Sequence, residues 1–435
     1  MGEKINIFWF RRDLRLEDNC GLFHALKSGK KIVPIFIFDA EILSKLPTDD
    51  ARVSFLHQEL ENINQQLLKI GSSIAIYHGK PIAIFNSLTE KYSIDTVYTN
   101  HDYEPYAIKR DQEVNEFLSS KEILFKTFKD QVVFERNEII KKDGTPYKVY
   151  TPFSKKWLEV YQYKGIQFFP SEDYLDNFIK EAKLPFLSLE KIGFVPANMK
   201  VASYKVSSKV IDMYEETRNF PAKDSTSRLG THLRFGTVSV RRMVEKASKS
   251  NNITFLKELI WREFFMQILW HFPETTKDSF KPKYDRILWR NNEKEFDAWC
   301  KGETGYPLVD AGMRELNKTG FMHNRVRMLV GSFLCKHLLI DWRWGEAYFA
   351  KKLHDYEQSS NIGNWQWVAG CGVDAAPYFR IFNPTTQIQK FDKELKYLKK
   401  WVPDFQELTY PTPIVDHKFA RERCLETYKK ALTDF

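Results

Sequence analysis

A segment near residue 226 combines hydroxyl groups, an arginine and the start of a helix. Residues 225–230 read STSRLG, and Pro221 with the Ser/Thr cluster indicates a loop before a helix that begins near Leu229. Free N–H groups at a helix start, together with hydroxyl and guanidinium groups, favour binding of an anion. Hydroxyl residues are also ordinary helix caps, so the pattern alone leaves a purely structural role open.

Two later helical patterns place polar groups among apolar ones at spacings that share a helix face. The two sets are Glu258, Trp261 and Phe265 in one helix and Asn324, Arg327 and Met328 in the next. An unpaired buried polar group costs on the order of 1–3 kcal/mol, so each of these groups needs a partner. That partner is either a bound ligand or another side chain.

The segment NIGNWQW, residues 361–367, places Trp365 and Trp367 two positions apart, shortly after the amide Asn361. Its Gly-Asn pair indicates a turn, and the segment fits neither a regular strand nor an amphipathic helix. Most of the 11 tryptophans lie between Trp261 and Trp367. This crowding suits a site for flat ligands and suits a large helical core equally well, so both interpretations stay open on the residues alone.

Charge is distributed unevenly along the 435 residues, whose formal net charge is +9. Residues 1–195 are close to neutral, and the excess of Lys and Arg lies in residues 196–435. A basic half favours a polyanionic partner, and a solvated basic surface without a partner is the alternative.

Cysteine spacing and the N-terminus narrow the class of protein. The five cysteines include no C-x-x-C pair, which argues against a disulfide framework or a zinc site and fits a reducing compartment. The N-terminus lacks the apolar stretch of a signal peptide, and the longest apolar run is far short of a membrane span. Asn6 stands where a myristoylation signal needs Ser or Thr. We therefore expect a cytoplasmic protein with no metal and no membrane association.

The elements that must position these residues change in type along the chain. Within residues 1–130, short strand patterns at 5–10, 31–38, 73–79 and 96–100 alternate with helical ones, such as 51–71 closed by Gly71. Alternation of this kind predicts a Rossmann-like domain with a parallel sheet. The glycine-rich dinucleotide fingerprint is missing after the first strand.

The rest of the chain divides into a connector and a helical part. Residues 131–196 contain several prolines and no sustained periodicity, which predicts a long interdomain linker. Residues 197–435 lack strand patterns and contain long apolar helical patterns at 254–272 and 324–342. The predicted fold is an N-terminal parallel α/β domain, a linker and a larger all-α domain.

Seven segments in this order resemble the photolyase/cryptochrome flavoprotein family: WFRRDLRLEDN, TSRL, ELIWREF, TGYPLVDAGMREL, MHNRVRM, NWQW and DAAPYFRIFNPTTQ. The likeness covers nearly the whole chain, is dense from Tyr214 to Phe391, and is looser in residues 1–130. In detail the chain is similar to the bacterial class I cyclobutane pyrimidine dimer photolyases. The resemblance implies an antenna domain at residues 1–130 and an FAD- and DNA-binding helical domain at residues 197–435.

The resemblance also implies where one FAD binds. The positions that match cofactor contacts are Tyr214, Thr226, Ser227, Arg228, Leu229, Gly230, Glu258, Trp261, Arg327, Asp355, Glu357 and Asn361. Among them, Arg327 and Asp355 match an ion pair beside the isoalloxazine ring, and Asn361 matches the residue that faces flavin N5. Gly230 and Glu357 depart from the family, in which Ser and Asp are common there.

Electron-transfer and DNA positions follow from the same resemblance. Trp365, Trp342 and Trp289 match a triad that leads from the flavin to the surface. The positions that match the catalytic floor are Glu258, Asn324, Met328 and Asn361. The positions that match DNA contacts are Arg218, Trp261, Arg325, Trp367, Arg380 and Gln387. Trp261 and Trp367 match the indoles on two sides of a flipped dimer.

The implied activity is that of a deoxyribodipyrimidine photo-lyase. Excited FADH⁻ donates an electron, the cyclobutane ring splits, and the electron returns. The implied partner is UV-damaged DNA, mainly duplex, and the implied state is a monomer. Flipping a damaged, poorly stacked dimer costs less than flipping normal bases. The second chromophore is a folate, a deazaflavin or FMN in some relatives and is absent from others, and Glu104 and Lys277 match folate positions.

Three rival functions lie within the same family. A 6-4 photolyase carries histidines at the positions of Asn324 and Met328, which are not histidine here. A cryptochrome photoreceptor would favour Asp or Cys at the position of Asn361 and a C-terminal extension, whereas this sequence stops at Phe435. A form specialised for single-stranded DNA is disfavoured by the intact NWQW and PYFRIFNPTTQ segments.

Overall fold

The computed structural model describes residues 3–433. The chain forms two compact units, each built from three separate stretches. Among the described residues, the first contains residues 3–138, 158–202 and 229–249, and the second contains residues 139–157, 203–228 and 250–433. The three-part division drawn from the sequence, with boundaries after residues 130 and 196, stays a prediction.

A five-stranded parallel sheet forms the centre of the first unit. Its strands are β1 Ile5–Phe10, β2 Ile32–Asp39, β3 Ala75–Gly79, β4 Ile94–Asn100 and β5 Leu124–Phe128. The spatial order is β3-β2-β1-β4-β5, and every neighbouring pair is parallel. The prediction of a Rossmann-like parallel sheet is confirmed. Strand β5 lies at the sheet edge and is largely exposed, so it lacked the apolar pattern that identified the other four strands.

The central strands are buried on both faces, as a parallel sheet covered by helices requires. In β1, Phe8 and Phe10 pack into one apolar cluster, and Ile7 and Trp9 pack into a second cluster. Successive side chains of a strand point to opposite faces, so β1 supplies both cores. The carboxyl ends of the strands therefore meet at one edge, where ligand sites of parallel sheets form.

The helices account for most of the remaining chain. In chain order they are α1 Cys20–Leu26, α2 Ala40–Leu43, α3 Ala51–Leu68, α4 Pro81–Lys91, α5 Pro105–Ser120, α6 Tyr150–Lys164, α7 Ser208–Asp212, α8 Tyr214–Thr217, α9 Gly230–Phe235, α10 Val240–Ser248, α11 Thr254–His271, α12 Glu293–Lys301, α13 Pro307–Thr319, α14 Asn324–Ser332, α15 Trp342–Lys352, α16 Gln358–Ala369, α17 Pro384–Phe391, α18 Lys396–Trp401 and α19 His417–Thr433. Short 3₁₀ segments span Ser171–Asn177, Glu190–Ile192, Pro273–Thr276 and Pro282–Arg286, and a π-helical segment spans Phe333–His337. No helix within residues 3–433 is long and apolar enough to cross a membrane.

The predicted helix at 324–342 is divided in the structure. Helix α14 ends at Ser332, the π-helical segment follows, and Leu339 adopts a left-handed backbone with φ of 51°. A new helix, α15, begins at Trp342 because the Asp341 side chain accepts a hydrogen bond from the Arg343 N–H at 3.0 Å. The apolar periodicity ran through this break and hid it.

The turn predicted at Gly363 is wrong, because Gly363 lies inside α16. A Cβ atom at this position would lie 2.2 Å from Cδ1 of the Phe265 ring, so glycine permits a close approach to α11. Helix α16 shows no amphipathic pattern because it is buried on several sides.

Candidate functional site

A cavity in the second unit collects most of the residues predicted around the flavin ring. It has a volume of about 610 Å³, including space open to solvent. The predicted site residues that line it are Asn324, Arg327, Met328, Asp355, Glu357, Asn361, Trp365 and Trp367. They come from α14, α16 and the segment that joins α15 to α16.

An ion pair with an unused oxygen stands at this cavity. Arg327 Nη2 donates to Asp355 Oδ2 at 2.8 Å, and its Nε donates to the carbonyl oxygen of Met322 at 2.7 Å. Within residues 3–433, the other carboxylate oxygen, Asp355 Oδ1, is buried and accepts no hydrogen bond. A buried acceptor that lacks a hydrogen bond costs about 1–3 kcal/mol, so a ligand that brings an N–H donor to this oxygen is favoured. The imide N–H of a flavin ring is a donor of that kind, and FAD fits the site.

Asn361 is held by an acidic residue that the sequence did not indicate. Its Nδ2 donates to Glu346 Oε1 at 2.9 Å and to the Glu346 carbonyl oxygen at 3.2 Å. Burial raises the pKa of Glu346, although the Asn361 hydrogen bond acts in the opposite direction. These bonds use the amide NH₂ and fix the orientation of Asn361. A single acidic residue in α15 carries no sequence signal for this role.

The Glu357 side chain caps the start of helix α16. Its carboxylate accepts hydrogen bonds from the Ser359 N–H at 3.1 Å and the Ser360 N–H at 2.9 Å, and so caps α16. The carboxylate is thus engaged by the helix start. A cofactor contact of Glu357 stays a prediction.

The tryptophans of the predicted triad differ in exposure. Trp365 and Trp342 are buried, and Trp289 is half-buried. Trp365 packs edge-on against Phe349 with ring centroids 4.9 Å apart. Trp367, two residues beyond Trp365, is half-buried and also lines the cavity. The half-buried Trp289 suits the outer end of the predicted path, and NWQW supplies one buried and one half-buried indole. The path itself stays a prediction.

The three predicted DNA-side arginines are linked by the charges of Arg218 and Arg380, which act on Arg325. Arg325 donates to Asn219 Oδ1 at 2.5 Å, and Arg218 forms an ion pair with Glu258 at 2.5 Å. Burial, followed by the like charges of Arg218 and Arg380, lowers the pKa of Arg325. We call Arg218, Arg325 and Arg380 the arginine cluster. Arg325 is repelled by the other two members, which favours an anionic partner.

Trp261 is backed by a tyrosine that the sequence analysis did not single out. The Tyr150 and Trp261 rings stack with centroids 3.6 Å apart and planes 7° apart. The Tyr150 hydroxyl donates to the Lys257 carbonyl oxygen at 2.8 Å, which fixes the pair on α11. Trp261 is not among the residues that line the cavity, so its place opposite Trp367 stays a prediction. Tyr150 lies in the segment YKVYTPF, residues 147–153, whose aromatic residues were the signal that could have indicated it.

The predicted phosphate segment contains a backbone outlier. Arg228 has a φ of 52°, which is uncommon for a residue other than glycine, and its guanidinium lies 4.5 Å from the Phe321 ring centroid. Thr226, Ser227 and Arg228 belong to the second unit, whereas Leu229 and Gly230 belong to the first, where α9 begins. Strained backbone of this kind clusters at ligand sites.

Two further predicted positions have clear local surroundings. Tyr214 is half-buried against Phe255 at 5.2 Å, and burial, with the Glu258 charge, raises its pKa to about 12. Gln387 is half-buried on α17. Both lie in the second unit.

A second pocket lies in the first unit at the carboxyl ends of the strands. Its volume is about 760 Å³, including open space, and its lining combines apolar residues with the arginines Arg11, Arg12, Arg110 and Arg234. Glu104 pairs with Arg12 at 3.1 Å and with Arg234 at 3.0 Å. Lys277, the other predicted antenna residue, is exposed and lies in the second unit. The folate site drawn from these two residues stays a prediction.

Two family models match the chain. The model described as DNA photolyase matches residues 6–172, and the model described as FAD binding domain of DNA photolyase matches residues 255–409. Among curated proteins, the deoxyribodipyrimidine photo-lyase of Agrobacterium fabrum is 37% identical, and the alignment covers 97% of each chain. The deoxyribodipyrimidine photo-lyase of Escherichia coli is 32% identical over 98% of each chain.

Solved structures agree with these matches. A bacterial class III photolyase from Agrobacterium tumefaciens has a TM-score of 0.87 and 34% identity, and the match covers 100% of this chain and 99% of that one. An archaeal photolyase from Sulfolobus tokodaii, solved with two FAD molecules that imply a novel light-harvesting cofactor, has a TM-score of 0.85 and 32% identity, with 98% and 99% coverage. The closer likeness to class I enzymes drawn from the sequence stays a prediction.

Proposed function

This chain belongs to the DNA photolyase family, and we propose that it is a deoxyribodipyrimidine photo-lyase that repairs cyclobutane pyrimidine dimers in DNA with light. The observation that carries the proposal is the cavity in which Arg327, Asp355 and Asn361 meet. Its buried, unpaired Asp355 oxygen suits the N–H edge of a flavin.

The chain binds FAD, and its own residues account for the flavin environment. Asp355 would accept from the ring edge, Arg327 would fix Asp355, and Glu346 would hold the Asn361 amide in one orientation. Buried walls of α14 and α16 would exclude water from the ring. When bound, reduced FAD supplies, on excitation, the electron that opens the cyclobutane ring and takes it back afterwards.

The DNA side of the site is proposed from rings and charges. Trp261 and Trp367 would stack on the flipped dimer, which contributes about 1–3 kcal/mol per stacked base. Glu258, Asn324 and Met328 would contact the dimer edge. The arginine cluster would bind the surrounding phosphates, which makes binding dependent on salt.

A second chromophore is proposed for the first-unit pocket. The pocket combines an apolar wall with four arginines, which suits a flat ring that carries phosphate. Within the described residues, the buried Trp9 Nε1 has no hydrogen-bond partner and lines this pocket. We favour a flavin or deazaflavin over a folate because the Sulfolobus tokodaii photolyase was solved with a second FAD.

The oligomeric state, the form of DNA and the cellular location are proposals as well. We infer a monomer that acts mainly on duplex DNA in the cytoplasm. The odd number of cysteines and the free thiols at all five positions fit a reducing compartment.

The experiment that tests the function uses the FAD-loaded, chemically reduced protein and a duplex oligonucleotide with one cyclobutane thymine dimer. Blue-light illumination should restore the undamaged strand with many turnovers, and a dark sample should not. A 6-4 photoproduct duplex serves as the specificity control. A protein that binds FAD and photoreduces it but leaves both lesions intact would contradict repair and support a photoreceptor.

A further inference from the structure

A buried lysine contacts the loop that carries Arg380. Lys336 lies in the π-helical segment Phe333–His337 and is 1% exposed. Its Nζ donates to the backbone carbonyl oxygen of Arg380 at 2.8 Å. Segments of π-helix often occur at functional positions, because the extra residue redirects side chains.

Within residues 3–433, no ion pair compensates the burial of the Lys336 ammonium group. Burial lowers the pKa of Lys336 to about 8, and the charge of Arg380 acts in the same direction. The neighbouring thiols of Cys335, Cys371 and Cys424 are themselves buried, and within residues 3–433 no carboxylate pairs with Lys336. An ammonium group buried without a counter-ion is costly, and an apolar side chain of similar length would avoid that cost. The hydrogen bond to Arg380 is therefore the contact that the lysine supplies.

The contacted loop joins α16 to α17 and exposes the side chains of Phe379 and Arg380. Elsewhere along the loop, Tyr378 stacks on Tyr428 with centroids 5.8 Å apart, and Asp374 accepts from the Tyr150 N–H at 3.1 Å. The Lys336 bond meets the main chain at Arg380 itself. It thus fixes the residue that carries the guanidinium.

Arg380 needs such fixation because its neighbours repel it. The charges of Arg218 and Arg380 lower the pKa of Arg325, so Arg380 and Arg325 interact unfavourably. Without DNA, this repulsion favours movement of the exposed Arg380 away from Arg325. A main-chain contact to a buried group opposes that movement without covering the guanidinium.

We propose that Lys336 is a positioning residue that holds Arg380 within the arginine cluster and thereby sets the phosphate contact of the DNA surface. The proposal rests on the proposed DNA-binding role of Arg380. It assigns Lys336 no contact with DNA, FAD or the dimer.

The test is a double-mutant cycle on the FAD-loaded protein with Lys336→Met, Arg380→Ala and the double variant. Each single variant should bind a dimer-containing duplex about three- to tenfold more weakly and should lower the salt slope of binding by about one. The double variant should bind no more weakly than Arg380→Ala alone. FAD content and photoreduction rate should match the wild type in all three.

A matched lysine and a second readout complete the design. Lys281 Nζ donates to the Gly370 carbonyl oxygen at 3.5 Å, at the start of the same loop, so Lys281→Met removes a similar charge without freeing Arg380. Trypsin cleavage after Arg380 should be several-fold faster in Lys336→Met than in the wild type or Lys281→Met. If Lys336→Met does not fold, Lys336→Gln, which keeps a neutral donor, should show the same trend at smaller size.

The outcomes separate this proposal from the assigned function. Additive losses in the cycle, or cleavage after Arg380 at the wild-type rate, would overturn the Lys336 proposal. Loss of FAD together with DNA affinity would also overturn it, because it would show a general structural role. If Arg380→Ala leaves DNA binding unchanged while Lys336→Met still speeds cleavage, the DNA-side assignment of Arg380 fails and the loop contact stands.

Discussion

The two units contain arginine-rich sites that differ in how their charges are balanced. In the first unit, Arg12 pairs with Asp102 at 3.0 Å and with Glu104 at 3.1 Å, and Arg110 pairs with Asp111 at 3.0 Å. In the second unit, Arg325 donates to the neutral amide of Asn219, and Arg380 lies over the Phe382 ring at 5.6 Å. Within residues 3–433, neither Arg325 nor Arg380 forms an ion pair.

This difference indicates two kinds of ligand. Arginines that already have carboxylate partners present little net charge and suit a small ligand with few charges of its own. Arginines without such partners leave a positive potential, which attracts a polyanion and gives a strong dependence on salt. Matched substitutions in the two units can test this distinction.

The largest expected effect is on the rate of flavin photoreduction, in a comparison of Trp365 in the second unit with Trp9 in the first. Trp365→Phe should abolish photoreduction of oxidised FAD, because it removes the inner member of the predicted electron path. Repair by chemically pre-reduced protein should be unaffected, since the predicted path reduces the flavin and does not lead to the dimer. The matched control is Trp9→Phe in the first unit, which should leave photoreduction intact. Absorbance of the flavin under illumination measures the rate, and equal losses of repair and photoreduction would show that Trp365 is misassigned.

A carboxylate from each site should differ in its effect on FAD. Asp355→Asn weakens the pair with Arg327 and removes the charge of the unpaired oxygen, so FAD should bind about ten- to a hundredfold more weakly, from about 1.5–3 kcal/mol of charged hydrogen bonding. Asp102→Asn in the first unit should leave binding of the repair FAD unchanged. Fluorescence titration of the apoprotein with FAD measures both. A larger loss in Asp102→Asn would reverse the assignment of the two sites.

Trp261→Ala should weaken binding to a dimer-containing duplex by about 1–3 kcal/mol, roughly ten- to a hundredfold, because one stacking wall is lost. Binding to undamaged duplex should hardly change, since it depends on phosphates. Fluorescence anisotropy with both oligonucleotides gives the two affinities. Equal losses on both DNAs, with the flavin spectrum intact, would indicate that Trp261 is a core residue.

The smallest expected effect is on the salt dependence. Arg325→Ala should weaken binding to damaged and undamaged duplexes alike and should lower the slope of log affinity against log salt by about one. Arg110→Ala, which removes an arginine with a carboxylate partner in the first unit, should leave the slope unchanged. Affinity for one duplex, measured at several salt concentrations, gives the slope for both variants. An equal change in slope for both variants would remove the distinction between the two sites.

Periodicity in the sequence predicted the sheet well and the helical unit less well. Strands β1 and β2 are apolar runs because both faces of the sheet are buried at its centre, whereas exposed β5 gave no such pattern. The break before Trp342 was missed because a left-handed Leu339 and an aspartate cap interrupt a helix without interrupting its apolar pattern. Local patterns record burial, and they do not record where the main chain turns inside a core.

The site could be predicted residue by residue only through the family resemblance. The cavity does bring Arg327, Asp355, Asn361 and Trp365 together, as the resemblance implied. Glu346 was not predicted, because its importance comes from a hydrogen bond between two helices and not from any pattern in its own segment. Tyr150 was missed for a similar reason, since it lies far from Trp261 in the sequence.

The contact between Gly363 and the Phe265 ring has a consequence for the spacing of the two helices that carry Trp261 and Trp367. Trp261 lies one turn before Phe265 on α11, and Trp367 lies one turn after Gly363 on α16. The main chain of α16 packs directly on the Phe265 ring, so the two helices approach more closely here than a larger residue at position 363 would allow. One added methyl group at position 363 would displace the ring or push the helices apart, and would thereby shift the backbone positions that carry Trp261 and Trp367.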